Sequence, residues 1–163
     1  VAVSEANQRH ALIAIARKQV GVKEHPLGSN RGPEVDAYNR SAATDMGAPW
    51  CAAVKVWCHT EIGLPCRGNA YSPSWFVKAW VTLTPQPGDY ALVYFPKMGR
   101  FAHTIVVIES AKYSGSRCVE VVTLEGNTNA QGSREGDQFA RRNRRFDSVT
   151  CLRFQPAVSA AAL

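Results

Sequence analysis

A chain of 163 residues, 45% hydrophobic and 20% charged, is long enough to bury one core and too apolar to be disordered. No apolar run reaches the length of a membrane span, so membrane insertion is not expected, and the N-terminus lacks the basic and apolar regions of a signal peptide. A net charge of +6 favours an anionic partner, and by itself does not choose between a wall polymer, nucleic acid and a membrane surface.

In chain order, Asn7 to Val20 carries apolar residues with few breakers and ends at Gly21, which predicts a first helix. His25 to Gly32 is a turn-rich loop, and Pro33 to Arg40 forms a short helix with Pro33 in its first turn. Ser41 to Ala48 is a second loop. It leads into Cys51 to Ile62, a mostly apolar run without Gly or Pro that reads as a buried helix stopped by Gly63 and Pro65. Another short helix is predicted from Ser74 to Val81, with Trp75, Phe76, Ala79 and Trp80 on its apolar face. Pro85 to Asp89 is turn chemistry. Strands follow at Tyr90–Phe95, Ala102–Glu109 and Cys118–Leu124, with weaker candidates at Asp137–Phe146 and Val149–Phe154. Ala157 to Leu163 reads as a frayed tail. Helices first and antiparallel strands second make an α+β pattern, N-terminal helices on an antiparallel β-sheet, in a single domain over residues 1–156.

The chemistry gathers around Cys51. Proline just before a helix suits its start, so Pro49-Trp50-Cys51 puts the thiol in the first turn, at the positive end of the helix dipole beside unpaired N–H groups. A thiol there is lowered toward thiolate, and the same N–H groups suit an oxyanion. Taken alone, Cys51 is one more small buried apolar residue. The five cysteines are odd in number and none shows C-x-x-C spacing, which favours reduced thiols in a protein made in the cytoplasm. A cysteine nucleophile needs a histidine base held by a polar group. Of the four histidines, His10 is mid-helix, His25 precedes a proline, and His59 lies two turns along the Cys51 helix. His103 opens a strand. A hairpin of Ala102–Glu109 with Cys118–Leu124, centred on Ser114, sets His103 opposite Glu125, with Asn127 two residues on and facing the same way.

Trp50-Cys51-Ala52-Ala53, Pro87-Gly88-Asp89, Phe101-Ala102-His103-Thr104-Ile105-Val106 and Glu125-Gly126-Asn127-Thr128-Asn129 resemble, in order, the motifs of the CHAP family, cysteine and histidine-dependent amidohydrolases/peptidases of the papain-like NlpC/P60 group. Gly28 to Tyr38 and Gly132 to Asp137 also look like stretches of CHAP-type phage lysins and bacterial wall hydrolases. The resemblance implies a papain-like fold. It also implies hydrolysis of an amide bond in peptidoglycan, either N-acetylmuramoyl–L-alanine or a stem or bridge peptide bond. Cys51 is then the nucleophile, His103 the base, and Glu125 and Asn127 its orienting groups, the imidazolium holding the thiol ionised at neutral pH. Two departures stand out. Lys55 occupies a usually apolar helix position, and the acidic calcium loop of some phage domains is missing, only Asp45 being nearby, so neither metal nor other cofactor is expected.

Action at the cell wall or in the periplasm follows from the resemblance, as does a cognate immunity protein if the chain is a secreted toxin. A monomer is expected. Amidase action on a small peptide–polyamine conjugate is the rival activity, and a non-catalytic wall-binding module the rival class. Arg141 to Arg145 would draw anionic wall polymers or stand as a solvated strand, and no nucleic-acid fold motif surrounds it. Of the four tryptophans, Trp50 is the one expected to border a substrate groove.

Overall fold

The computed structural model describes residues 3–129 and 136–157. Three helices precede six strands: α1 Glu5–Arg17, α2 Pro33–Ser41, α3 Cys51–Glu61, β1 Tyr90–Phe95, β2 Arg100–Ile105, β3 Val107–Ser114, β4 Arg117–Thr128, β5 Gln138–Arg145 and β6 Thr150–Leu152. The domain is α+β, with two small antiparallel sheets, ordered β2-β1-β6 and β3-β4-β5.

The helices begin where the chain supplies caps. Ser4 accepts a hydrogen bond from the Asn7 N–H (3.3 Å), and Glu5 and Arg17 complement the dipole of α1 at its two ends. Pro33 opens α2 as expected. Helix α1 stops at Arg17, short of Val20, and the chain turns so that the Gly21 N–H donates to the Phe139 carbonyl (3.0 Å). Helix α3 buries residues on all sides, Ala52, Ala53, Val54, Lys55, Val56, Cys58 and His59 among them. Small residues in its first turn let the sheets and the other helices come close. The main core joins α1 (Leu12, Ala16), α2 (Val35, Tyr38) and α3 (Ala53, Val54) to Leu92, Val107, Leu124 and Phe139 of the strands. A smaller cluster, with Ala91, Ile105, Ile108, Val121 and Cys151, fills between the strands of the two sheets.

Four expectations need correction. The segment Ser74–Val81 is not an α-helix but two 3-10 turns, Ser72–Trp75 and Lys78–Trp80, because Phe76 and the β-branched Val77 between them are extended. Trp75 turns inward and donates its indole N–H to the Asn69 carbonyl (2.9 Å), while Phe76 turns outward. The strand Ala102–Glu109 is broken at Val106, where the chain passes from one sheet to the other: β2 pairs with β1, and β3 with β4. The β3–β4 hairpin turns at Gly115-Ser116, with Gly115 at φ +59°, so Val107 faces Leu124 and not Val121 as pairing about Ser114 would require. At the C-terminus, Ala157 is tied to α1 by two hydrogen bonds with the Gln8 side chain (2.8 and 3.4 Å) and is not frayed. The rest of the expected tail, residues 158–163, lies outside the described residues, as do residues 130–135 of the Gly132–Asp137 stretch.

Candidate active site

Cys51 is the first residue of α3, after Trp50 at the N-cap, so its thiol sits at the positive end of the helix. His103 is in β2, paired with Val93 of β1, and Glu125 is in β4 of the other sheet. The expected hairpin therefore does not join them. They meet across the junction of the two sheets, which the sheet switch at Val106 folds together. His103 Nε2 and Glu125 Oε2 are 2.7 Å apart, with the ring 1% and the carboxylate residue 0% exposed.

With Nε2 engaged by Glu125, Nδ1 is the ring nitrogen left to serve the thiol, and it is buried without a hydrogen-bond partner of ordinary geometry among the described residues. Cys51 is 4% exposed, and its Sγ lies 3.5 Å from the hydroxyl of Ser72 on the first 3-10 turn. Burial resists ionisation of the thiol. The hydrogen bond and charge of His103, the Ser72 hydroxyl and the Thr104 backbone N–H together outweigh it, and the thiol is lowered to about 7. For His103 burial likewise favours the neutral form, but Cys51 and Glu125 raise it to about 9. The two groups titrate as a pair, so a thiolate facing an imidazolium is favoured between those values. The thiol falls less than an exposed pairing with imidazolium would give, because burial works against it.

Glu125 is also burdened by burial, yet it stays well below the usual carboxylate range, first because of Arg144 and then because of His103. Arg144 Nε donates to Oε1 (2.8 Å) and its terminal nitrogen to Oε2 (2.6 Å); the Thr123 hydroxyl adds a 2.6 Å bond to Oε1. Neither Arg144 nor Ser72 stands out in the sequence. The outer arginines of the same run each meet a carboxylate, Arg141 that of Glu109, which Arg17 shares, and Arg145 that of Asp147, and both remain exposed.

Asn127 is buried two residues beyond Glu125, but at φ +54° and within a break in the β4–β5 register, so strict side alternation no longer relates the two. Trp50 is not at a groove. It is fully buried, donates its indole N–H to Glu24 Oε1 (2.8 Å) and stacks on Tyr38 with centroids 5.7 Å apart. Aromatic surface beside the centre comes instead from Tyr71, which is exposed and adjoins Ser72; Phe101, stacked on Phe76 (4.7 Å), is separated from His103 by a bulge in the β1–β2 register, so alternation does not set the two on one face.

Lys55 needs no apolar partner exchange to be housed in α3. Its ammonium donates to the Ile105 carbonyl (3.2 Å) and lies over Tyr90 (3.8 Å) and Trp75 (4.3 Å), and burial holds it well below the ordinary lysine range. This ties the helix of Cys51 to the strand of His103. The remaining histidines are elsewhere: His10 and His25 are exposed, and His59 is buried, its Nδ1 3.2 Å from the Pro65 carbonyl. All five cysteines are free, and only Cys66 is exposed. Among the described residues no group of three or more His, Cys, Asp or Glu side chains is placed to share a cation, and no helix is long and apolar enough to cross a membrane.

Comparison of the chain with models of protein families, with curated proteins and with solved structures finds no match to any of them.

Proposed function

We propose that the protein is a cysteine hydrolase of an amide bond in peptidoglycan, with a papain-like arrangement of the NlpC/P60 and CHAP type that its motifs resemble. The observation that carries this reading is the chain Cys51, His103, Glu125: a thiol at a helix start, an imidazole beside it, and a carboxylate 2.7 Å from the far ring nitrogen. Three such groups in sequence meet the needs of a nucleophile, its base and the group that orients the base. A wall-binding module has no use for a thiol lowered to about 7 in a buried site.

In this mechanism the Cys51 thiolate attacks the amide carbonyl, forming a C–S bond and an oxyanion that the N–H groups at the start of α3 receive. As the C–N bond breaks, the His103 imidazolium gives its proton to the leaving amine. Water, deprotonated by the now neutral His103, attacks the thioester, and the carboxylic acid leaves with the thiol restored. Glu125 stabilises the ring cation through both steps and keeps the free nitrogen turned to sulfur. Tyr71, exposed beside Ser72, takes the bordering role expected of Trp50. The net charge of +6 suits an anionic wall.

The test is digestion of purified peptidoglycan with mass spectrometry of the released fragments. The parent should release fragments carrying one new amine and one new carboxylate per cut, and Cys51→Ala none. Turnover by Cys51→Ala within a few-fold of the parent would defeat the mechanism. No release by the folded parent would defeat the choice of substrate.

A further inference from the structure

We propose that Arg144 is a positioning residue of this centre, fixing the Glu125 carboxylate and, through it, the charged state of the His103 ring. The inference rests on the thiol-hydrolase reading of Cys51 but not on which substrate is cut. Strand β5 runs Arg141-Arg142-Asn143-Arg144-Arg145, and alternation sends 142 and 144 to the inner face and 141, 143 and 145 outward. The exposures separate the same way: the Arg144 side chain is 11% exposed, against 54% for Arg141 and 80% for Arg145.

The Arg144 fork meets both oxygens of Glu125, at 2.8 and 2.6 Å. With Thr123 on Oε1 and His103 on Oε2, the carboxylate accepts four hydrogen bonds, its full capacity. It has no free rotation, and the imidazole it holds inherits that fixity. Charge gives a second reason. Thiolate, imidazolium, carboxylate and guanidinium alternate in sign and sum to zero, so ionising Cys51 leaves no net charge in a site closed to water. Without the guanidinium, the same ionisation leaves one uncompensated negative charge, and the proton stays on longer.

The other charged groups packed around the chain do not replace Arg144. Arg142, on the same face of β5, reaches Thr128 Oγ1 at 3.5 Å, and its Nε has no hydrogen-bond partner among the described residues. Lys55 on α3 is turned to the Ile105 carbonyl. Glu109 on β3 is matched by Arg17 and Arg141, and Asp147 after β5 by Arg145.

The test is a titration of the Cys51 thiolate by its ultraviolet absorbance, each variant measured against the same variant carrying Cys51→Ala. It needs no substrate, so a failure to cut peptidoglycan leaves it intact. Arg144→Met should raise the midpoint by about one pH unit or more, the effect of losing an opposite charge from a buried site. Arg144→Lys keeps the charge without the fork and should return the midpoint to near that of the parent. A parent-like midpoint in folded Arg144→Met would overturn the proposal. So would an Arg144→Lys midpoint raised to that of an ordinary thiol, which also decides the matter if Arg144→Met does not fold.

Discussion

Gly126 stands between Glu125 and Asn127, and the absence of a Cβ there is what lets β4 lie against the start of α3. A Cβ at this position would sit 2.5 Å from Cζ3 and 2.9 Å from Cε3 of Trp50, and 2.7 Å from Cγ1 of Val54. Carbon atoms rest at about 3.5–4.0 Å, so Gly126→Ala asks strand and helix to part by about 1 Å. Trp50 cannot yield cheaply, being fully buried, bonded to Glu24 and stacked on Tyr38. Overpacking of this kind costs about 1–3 kcal/mol. Trp50 immediately precedes Cys51, and Glu125 immediately precedes Gly126, so the same displacement pulls the thiol from the His103–Glu125 pair. A misplacement of about 1 Å costs about 100-fold in rate. Urea unfolding and the Cys51 thiolate titration read the two effects separately. Gly126→Ala should lose about 1–3 kcal/mol of stability, and its thiol midpoint should rise from about 7 toward the ordinary thiol value. Stability within about 0.5 kcal/mol of the parent, with an unmoved midpoint, would refute the reasoning.

Glu125→Gln keeps the shape but removes the charge that favours the imidazolium, so hydrolysis should fall about 10-fold or more and the thiolate should form at higher pH; an unchanged rate and profile would remove Glu125 from the site. Trp50→Phe leaves Glu24 Oε1 without its indole donor and should cost about 1–3 kcal/mol in urea unfolding, while KM for muropeptides stays put; a raised KM in a stable variant would return Trp50 to the substrate groove. His59 is held neutral by burial, its folded value lowered to about 4. The unfolded chain binds the extra proton first, near 6.5, so its contribution to stability is present above that pH and lost as the pH falls toward 4, at up to about 1.4 kcal/mol per unit. Urea midpoints across this range should fall less in His59→Gln; parallel loss in both proteins would mean that the ring is not held neutral.

The place of Cys51 was legible because Pro49 and an unbroken apolar run leave little choice about where α3 begins. The partnership of His103 with Glu125 was also reached, but for the wrong geometric reason. Val106 is one more β-branched residue in Thr104-Ile105-Val106-Val107, and nothing local tells that the chain changes sheets there. Two-residue turns are set by Gly115, one position later than a centre at Ser114, and a ladder register follows the turn. Arg144 was hidden because a strand with arginines on both faces reads as solvated; only the partner strand decides, and Glu125 lies diagonally from Arg144 on β4. Ser72 was hidden because a 3-10 turn depends on contacts outside it. Lys55 looked out of place in a buried helix, since sequence shows its charge and not the rings of Tyr90 and Trp75 that house it. Trp50 was misplaced for a simpler reason: adjacency to Cys51 says nothing about direction, and the residue at the N-cap here points into the core.

The central claim is that Cys51 is ionised at neutral pH because His103, held by Glu125, faces it. The most direct measurement is the ultraviolet titration of the thiolate in the native protein, taken as the difference between the parent and Cys51→Ala. It does not depend on reagent access to a thiol only 4% exposed, and it removes the exposed Cys66 from the signal. The account predicts a midpoint at about 7; a midpoint at or above that of an ordinary thiol, about 8.5, would contradict it.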